Sequence, residues 1–523
     1  MFESVNPKQS FPDLEHEMLG FWKENNTFEK SVLARKGRKK YVFFDGPPFA
    51  NGLPHYGHIL ASSLKDAVTR YWTMKGYYVP RENGWDCHGL PVEYEIEKEL
   101  KLTGRKQIVE MGVEKFNNAC RESVFRYTKE WEKLIVRLGR WVDFENGYAT
   151  LDNSYMESIW WVFKKIWDRK MVYKSYKPMH ICPRCETPLS NFEVTQGYKD
   201  VTDLSVTATF PIKEGAYEGC EVLAWTTTPW TLPGNMFLAV NPDIEYVVVR
   251  SAMSGEDKKY ILAKCRLAQT FKDVPFEIEE EVDLEKLLGC HYEPLFPYFK
   301  NTKEDIYRVL AANFVTTEDG VGVVHIAPAY GEDDMNVGVR EKVTLIQHVK
   351  MDGMFIPEVV DFAGKFAKGQ DVNVKDLLAK NGRVFSFENI RHSYPHCWRC
   401  DTPLLNFVTD SWFIRVTDIK EHMTRNNKKI HWQPEHIQEG RFGKWLEGAR
   451  DWAISRNRFW GCPIPIWECV CGETVCIASI DDLKKVSGGV APMRGDQLDL
   501  HKPYIDEIHF PCEKCGKTDE PNS

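Results

Sequence analysis

Two histidines three residues apart, His55 and His58, stand where a Gly/Pro-rich turn meets an apolar-periodic segment, a setting that fits an anion site. Free N–H groups and the helix dipole favour negative charge at a helix N-terminus, and two imidazoles on one side add donors. A polyphosphate suits that chemistry. A metal suits it less, because His55-Tyr56-Gly57-His58 has no neighbouring carboxylate and no third ligand. Helix capping is the plain reading of such a pair. The elements that must position them are a strand and a helix. Residues 41–44 are apolar and aromatic, which predicts a buried strand, and Asp45, Gly46, Pro47 and Pro48 end it. Gly57 opens the next element, where Ile59, Leu60, Leu64, Val68, Tyr71 and Trp72 recur at helical spacing.

Fifteen cysteines in a chain with no secretory signal point to metal and away from disulfides. Cys182 and Cys185 form one C-x-x-C, Cys397 and Cys400 another, and their contexts repeat as CPRCETPLSNFEV and CWRCDTPLLNFVT. Four thiolates from two such turns make a closed tetrahedral zinc site, structural because no coordination position stays open. Such a site must bring the chain near 185 against the chain near 397, so the intervening residues form an insert on two adjacent stalks. Cys469, Cys471, Cys512 and Cys515 offer a second four-thiolate knuckle. Its first pair is C-x-C, tighter than usual, Cys476 lies close enough to compete, and reduced surface thiols are the alternative. Cys87, Cys120, Cys220, Cys265 and Cys290 stand apart and read as ordinary core or surface residues.

A length of 523 residues predicts several domains with ample core, and 43% hydrophobic residues with 17 tryptophans exclude disorder. The net charge of -8 carries no global nucleic-acid signature, so RNA contact must use local basic patches; Lys39-Lys40 reads as solvated surface. No apolar run approaches a membrane span and the N-terminus lacks a signal-peptide core, which predicts a cytoplasmic protein with no membrane partner. Pro12 opens an amphipathic helix whose Leu14, Met18 and Phe21 or Trp22 are expected to pack on the body. Within residues 202–391 the texture turns to short β-rich runs, and a compact β-barrel-like domain is expected. Two motifs stand out there: WTTTPWTLPGN at 225–235 and GVGVVHIAPAYGEDD at 320–334. Alone, they read as a Thr-rich turn and a solvated charge run.

The run DGPPFANGLPHYGH resembles the first signature of the class I aminoacyl-tRNA synthetases, whose usual His-Ile-Gly-His appears here as His55-Tyr56-Gly57-His58. The isoleucyl members are the most similar. GWDCHGLPVE at 84–93 resembles their amino-acid-binding strand end, and RNRFWGCPIPIW at 456–467 a later active-site loop, with Cys462 where threonine is usual. The resemblance implies an α/β fold: a class I Rossmann-type catalytic domain, incomplete here, with a β-barrel-like editing domain inserted and zinc knuckles of four cysteines each. Its bounds would be 1–181 for the first helix and first catalytic half, 182–201 for the first zinc stalk, and 202–391 for the editing domain. The return stalk and catalytic continuation would run 392–468, and the second knuckle 469–523.

By the same resemblance, His55 and His58 are catalytic and bind ATP with Gly57, while Gly46, Pro47 and Asp86 line the isoleucine site. Asp86 would hold the substrate ammonium. An isoleucine site cannot exclude valine well, since one methylene is worth only about 1–3 kcal/mol, a limit for which the isoleucyl enzymes are themselves the standard illustration. A second, hydrolytic sieve is therefore implied. Thr226, Thr227, Thr228, Thr231 and Asn235 would shape it, His325 would sit against the substrate, and Asp334 would pair with its ammonium. The usual Gly-Thr-Gly before the histidine is Gly320-Val321-Gly322, which removes a hydroxyl.

Structural zinc, ATP with Mg²⁺, isoleucine and tRNA(Ile) are the implied cofactors and partners, and a monomer the implied state. No segment resembles the family's second signature, Lys-Met-Ser-Lys-Ser; Lys484-Lys485-Val486-Ser487 reads as a helix end. The resemblance covers about the first half of a typical member, so the chain alone is expected not to adenylate. A stand-alone deacylase and a zinc-ribbon tRNA-binding protein are the alternatives.

Overall fold

The computed structural model describes residues 7–252, 257–272 and 274–518; the reading of residues 1–6 and the end of the 469–523 knuckle region lie outside them. The chain folds as two compact units, Met1–Lys170 with Arg458–Ser523, and Met171–Asn457.

The first unit is α/β. Strands Glu82–Trp85 and Asp143–Ala149 pair in parallel, and Asp86 follows the first of them directly. Helices Leu90–Glu99 and Val113–Ser123 bury Val92, Ile96, Phe116 and Cys120 in a core that includes Cys87 and Trp460. Helix Asn153–Asp168 seats Met156 and Trp160 against Ile477, Leu483 and Leu500. Lys484 and Lys485 occupy the last turn of helix Ile480–Val486, a helix end as the sequence predicts. Helix Phe11–Glu24 forms with Pro12 in its first turn, yet none of its residues is fully buried. Its hold on the body runs through Trp22, edge-on to Trp141 at 5.2 Å.

One expectation fails here. Residues 41–44 form no strand: parallel bridges occur only at Lys40–Tyr78 and Phe49–Asp86, and Phe44 is 91% exposed. Pro47 and Pro48 have no N–H to extend a ladder, and Asp45 is tied to Lys65 and to Arg140, which fixes the segment as extended coil. Helix Tyr56–Met74 forms, but its apolar stripe of Leu60, Leu64, Val68 and Tyr71 is exposed, and its buried residues are Ser62, Thr69 and Thr73. Hydrogen bonding orients it. Arg81 reaches the Thr69 carbonyl at 3.2 Å and the Thr73 hydroxyl, and Arg140 reaches the Ser62 hydroxyl at 3.3 Å.

The second unit begins and ends as antiparallel pairs. Val172–Cys182 runs beside Leu405–Ile414, register Ile181 to Leu405 and Val172 to Ile414. Farther along, Tyr198–Pro211 runs beside Val384–Pro395, register Tyr198 to Pro395 and Thr202 to Arg391. These two stalk-like ladders bring the chain near 185 back beside the chain near 397. Tyr198–Pro211 continues into a mixed nine-stranded sheet by pairing with Glu221–Thr226. The order across it is Glu277–Glu281, Tyr246–Ser251, Lys258–Ala263, Glu221–Thr226, Val324–Ile326, Phe237–Val240, Arg308–Ala311. One large core, with Phe210, Trp230, Leu238 and Ile261 among its buried members, packs on this sheet. Among the described residues no helix is long and apolar enough to cross a membrane.

Gly197 sits at the narrowest point between the stalks. Its carbonyl accepts the His396 N–H at 2.8 Å, and a Cβ on it would lie 1.8 Å from the His396 carbonyl oxygen. Gly197→Ala should therefore lower the unfolding midpoint, by on the order of 1–3 kcal/mol of overpacking. Gly20→Ala, in a helix with nothing within 4 Å, should be neutral or stabilising; equal midpoints for the two variants would refute the close-approach argument.

Candidate functional site

His55 is the N-cap of helix Tyr56–Met74, and the two histidines cap it reciprocally. The Gly57 N–H donates to His55 Nδ1 at 3.1 Å, and the His55 N–H donates to His58 Nδ1 at 3.1 Å. Both Nδ1 atoms are thus acceptors, so each ring carries its proton on Nε2. The capping reading and the anion reading are therefore compatible: Nδ1 holds the helix end and leaves Nε2–H as a donor. Burial lowers the His58 pKa, with His55 and Lys65 pushing the same way, so His58 acts as a neutral donor. A Cβ on Gly57 would lie 3.0 Å from the His55 ring, so a larger residue there would crowd the capping imidazole.

The strand-end motif reaches the same place. The Asp86 N–H donates to the Pro48 carbonyl at 2.9 Å, which sets the Gly46-Pro47-Pro48 turn alongside Asp86. An aromatic path joins this to the histidines: His58 meets Trp131 edge-on at 4.6 Å, and Trp131 meets Trp85, the residue before Asp86, at 6.4 Å. The Trp131 indole N–H also donates to the Gly52 carbonyl at 2.8 Å and so holds the intervening loop. Thr150 supplies a hydroxyl 3.4 Å from Asp86 Oδ1 and accepts the Cys87 N–H at 2.9 Å. Burial raises the Asp86 pKa, the mark of a desolvated carboxylate with no cation beside it. Sequence reasoning missed Trp131 and Thr150, whose local patterns signal only a core helix and a turn.

The 456–467 motif clamps this strand end. Buried Glu93 accepts the N–H groups of Phe459 at 2.9 Å and Trp460 at 2.7 Å, together with Arg458 at 3.1 Å. The Trp460 indole in turn donates to the Cys87 carbonyl at 2.6 Å. Cys462 is partly buried, and burial pushes its thiol up to about 12, so it is inert.

In the second unit, the two motifs of the insert close on one cavity of about 250 Å³. Thr226, Thr227, Thr228, Thr231, His325 and Asp334 all line it. Thr231 donates its hydroxyl proton to the Thr228 carbonyl at 2.8 Å, so it must accept at 2.9 Å from His325 Nε2–H. His325 Nδ1 then accepts from Asn235 at 3.2 Å, and Tyr292 anchors Asn235 Oδ1 at 2.7 Å. Both ring nitrogens are committed, and burial pushes the His325 pKa down to about 3. This histidine is a fixed neutral wall and no proton carrier. Asn235 stands behind it, buried, and acts through it. Val321 points away into a cluster with Leu223, Val247 and Tyr260, so the hydroxyl missing at that position is not missing from the cavity.

Each cysteine set assembles. Cys182, Cys185, Cys397 and Cys400 converge, as do Cys469, Cys471, Cys512 and Cys515, with all sulfurs of a set within 4.8 Å. Sulfur separations are 3.4 Å for Cys182–Cys400, 3.7 Å for Cys185–Cys400, 3.4 Å for Cys469–Cys515 and 3.7 Å for Cys471–Cys512. Tetrahedral thiolate coordination at about 2.3 Å per bond requires about 3.8 Å between sulfurs, so both sets fit a metal ion with little movement. The Cys400 thiol is held below its ordinary range by hydrogen bonds from Cys182 and Cys185, and Cys512 is drawn down to about 7 by the N–H groups of Cys515 and Lys514. Cys476 is buried outside the second set and does not compete.

The model of the family "tRNA synthetases class I (I, L, M and V)" matches residues 17–520. Isoleucine–tRNA ligase of Treponema denticola is 49% identical over 99% of this chain and 49% of its own length. Those of Clostridium acetobutylicum and Bdellovibrio bacteriovorus are each 47% identical, over 99% and 98% of this chain and 49% and 48% of their own lengths. The chain spans about half the length of the curated relatives it matches. Among solved structures, a ternary complex of Agrobacterium radiobacter K84 LeuRS with tRNA and LeuAMS aligns over 97% of this chain and 57% of its own, at 15% identity and a TM-score of 0.39, too low to bear on fold or function.

Asp334 carries the sharpest electrostatic consequence. It accepts the Ala327 N–H at 2.9 Å, and burial pushes its carboxyl up to about 7 from an ordinary 3.8. Because the folded value lies above the unfolded one, ionisation opposes folding: the penalty is absent below about pH 4, grows as pH rises and is complete above about pH 7. Asp334→Asn keeps the acceptor and removes the charge. Urea unfolding should find it more stable than the parent by at least about 1 kcal/mol at pH 8, with the gap closing by pH 4. A gap that stays constant between those pH values would show that Asp334 is not desolvated.

Proposed function

The chain belongs to the class I tRNA synthetases (I, L, M and V), and we propose on that premise that it forms part of an isoleucine–tRNA ligase. One observation carries the reading. A histidine pair with free Nε2–H groups caps a helix at the end of a loop whose Pro48 carbonyl accepts the N–H of a desolvated aspartate, in a chain 49% identical to an isoleucine–tRNA ligase over 99% of its length. In the reaction, an isoleucine carboxylate oxygen attacks the α-phosphorus of ATP in line, the bond to the β-phosphate breaks, and pyrophosphate leaves. His55 and His58, with Gly57, donate to phosphate oxygens as negative charge develops, and Asp86 holds the isoleucine ammonium beside Gly46 and Pro47. The desolvated carboxylate fits that task, since a bound cation offsets the burial that raises its pKa. A tRNA(Ile) ribose hydroxyl then attacks the acyl carbon and AMP leaves. Positioning and preorganised charge supply the rate, with no covalent intermediate on the protein.

We read the insert as the family's β-barrel-like editing domain, whose cavity hydrolyses valyl-tRNA(Ile). Thr226, Thr227 and Thr228 offer hydroxyls to water and ribose. His325 and Asn235 fix the wall, and Asp334 anchors the ammonium. The two thiolate sets hold zinc as fold staples, Mg²⁺ accompanies ATP, and the enzyme is a cytoplasmic monomer. Similarity over the first unit as well as the insert favours a ligase over a lone deacylase.

Three measurements test this. Isoleucine should bind the chain at least about tenfold more tightly than valine, consistent with one methylene, and Asp86→Ala should abolish the binding. The chain should deacylate valyl-tRNA(Ile) and spare isoleucyl-tRNA(Ile); hydrolysis unchanged in Asp334→Ala would sink the ammonium anchor. Elemental analysis should find two zinc ions per chain, and a single ion would remove the Cys469 site.

A further inference from the structure

Behind the strand end that presents Asp86, a polar chain runs from His88 to two arginines. His88 Nε2 lies 2.7 Å from His501 Nε2, and His501 Nδ1 lies 2.6 Å from Asp499 Oδ1. Asp499 Oδ2 accepts from Arg121 Nη2 at 2.5 Å and Arg494 Nε at 3.0 Å. Asp499 and His501 are 3% and 1% exposed, so the chain is desolvated. Despite burial, the His501 hydrogen bonds and, after them, the Arg121 charge hold the Asp499 pKa well below the usual carboxylate range and keep it ionised.

That charge sets the protons along the chain. His501 Nδ1 faces both Asp499 Oδ1 at 2.6 Å and Arg121 Nη2 at 3.2 Å; the ionised carboxylate only accepts and is the nearer, so His501 carries its proton on Nδ1 and offers Nε2 as an acceptor. His88 must then donate through Nε2–H. Burial lowers the pKa of both histidines, which keeps this neutral pair intact. Flanking contacts tie the same segments together: Trp460 stacks on His501 at 4.3 Å, and Asn117 donates to the carbonyls of Phe459 at 2.9 Å and Lys502 at 2.8 Å. The fixed element is the Asp86–Gly89 turn, which the Gly89 N–H to Trp460 carbonyl bond, 3.0 Å, holds from its other end.

We propose that Asp499 and His501 are positioning residues for the amino-acid site, holding His88 and through it the turn that aims Asp86. The inference rests on the reading of Asp86 as the ammonium anchor. The burial of Asp499 and His501, with His88 and Arg121 half-buried against them, costs desolvation that an apolar cluster of the same volume would avoid, which is what favours a role for the geometry they fix.

Ring-nitrogen NMR of the full chain labelled with ¹⁵N in histidine, alongside isoleucine binding by calorimetry, tests it. We expect the Nε2–H form at His88 and the Nδ1–H form at His501. Asp499→Ala and His501→Gln should each shift the His88 signals and weaken isoleucine binding about tenfold, while the signals of His325 and His348, buried in the second unit, stay unchanged as reporters of folding. Should Asp499→Ala unfold, His501→Gln, which keeps a polar side chain in the same space, carries the comparison. His88 signals that do not respond, or the Nδ1–H form at His88, overturn the proposal. So does isoleucine affinity that both variants keep and Asp86→Ala loses. Affinity indifferent to Asp86→Ala as well refutes the anchor reading instead, and the His88 signals then decide the clamp by themselves.

Discussion

Antiparallel return of the chain is the constraint on which the second unit depends. The ladder from Val172–Cys182 to Leu405–Ile414 and the ladder from Tyr198–Pro211 to Val384–Pro395 bracket the first thiolate set. Register holds along the whole first ladder and along the second except for one irregularity between Val384 and Ser386; a slip of one residue would reverse every side chain. A metal on Cys182, Cys185, Cys397 and Cys400 would close the very long loop between 185 and 397, where cross-linking removes the most chain entropy in principle. Gly197 lets the two backbones touch beside that cross-link. With the stalks fixed, the strand that leaves them also carries one wall of the cavity, since Tyr198–Pro211 pairs with Glu221–Thr226 and Thr226 ends that strand.

The same imidazole chemistry is put to three uses by controlling where its proton sits. His55 and His58 commit Nδ1 to the helix cap and keep Nε2–H outward. His325 commits both nitrogens internally and becomes a shaped, uncharged wall. His88 and His501 pass one orientation along a buried chain to Asp499. Burial lowers the pKa of His58, His88, His325 and His501 alike, so none of them is built to carry charge. For the ligase reaction proposed above, which needs oriented donors and no proton transfer by the protein, the neutrality of His58 would suit catalysis by position.

What was legible in the sequence was local. The paired C-x-x-C contexts contained the stalk geometry, and the 225–235 and 320–334 motifs contained the threonines, the histidine and the aspartate that line the cavity, because each run is contiguous and its spacing is its geometry. What was not legible depends on residues far apart in the chain. Nothing near Glu93 indicates that it binds the backbone of Phe459 and Trp460, and Tyr292 gives no sign that it anchors Asn235. The strand expected at 41–44 failed for a related reason: apolar composition predicts burial on average, but a ladder also needs donors, and Pro47 and Pro48 remove them just where it would continue.

Substitutions at motif positions acquire meaning only with the side chain's direction. Valine at 321 looks, in sequence, like the loss of a hydroxyl from the proposed editing cavity. Its neighbours Gly320 and Gly322 both adopt positive φ, at +67° and +75°, and turn the backbone so that residue 321 faces Leu223, Val247 and Tyr260. A valine there gains apolar burial, whereas a threonine would have to find a partner for its hydroxyl or leave it unsatisfied, at a cost of about 1–3 kcal/mol. The exchange is thus a packing change beside the cavity. In the editing function proposed above, discrimination against the larger amino acid would rest on the walls that do face the cavity, where His325 is held by Thr231 and Asn235.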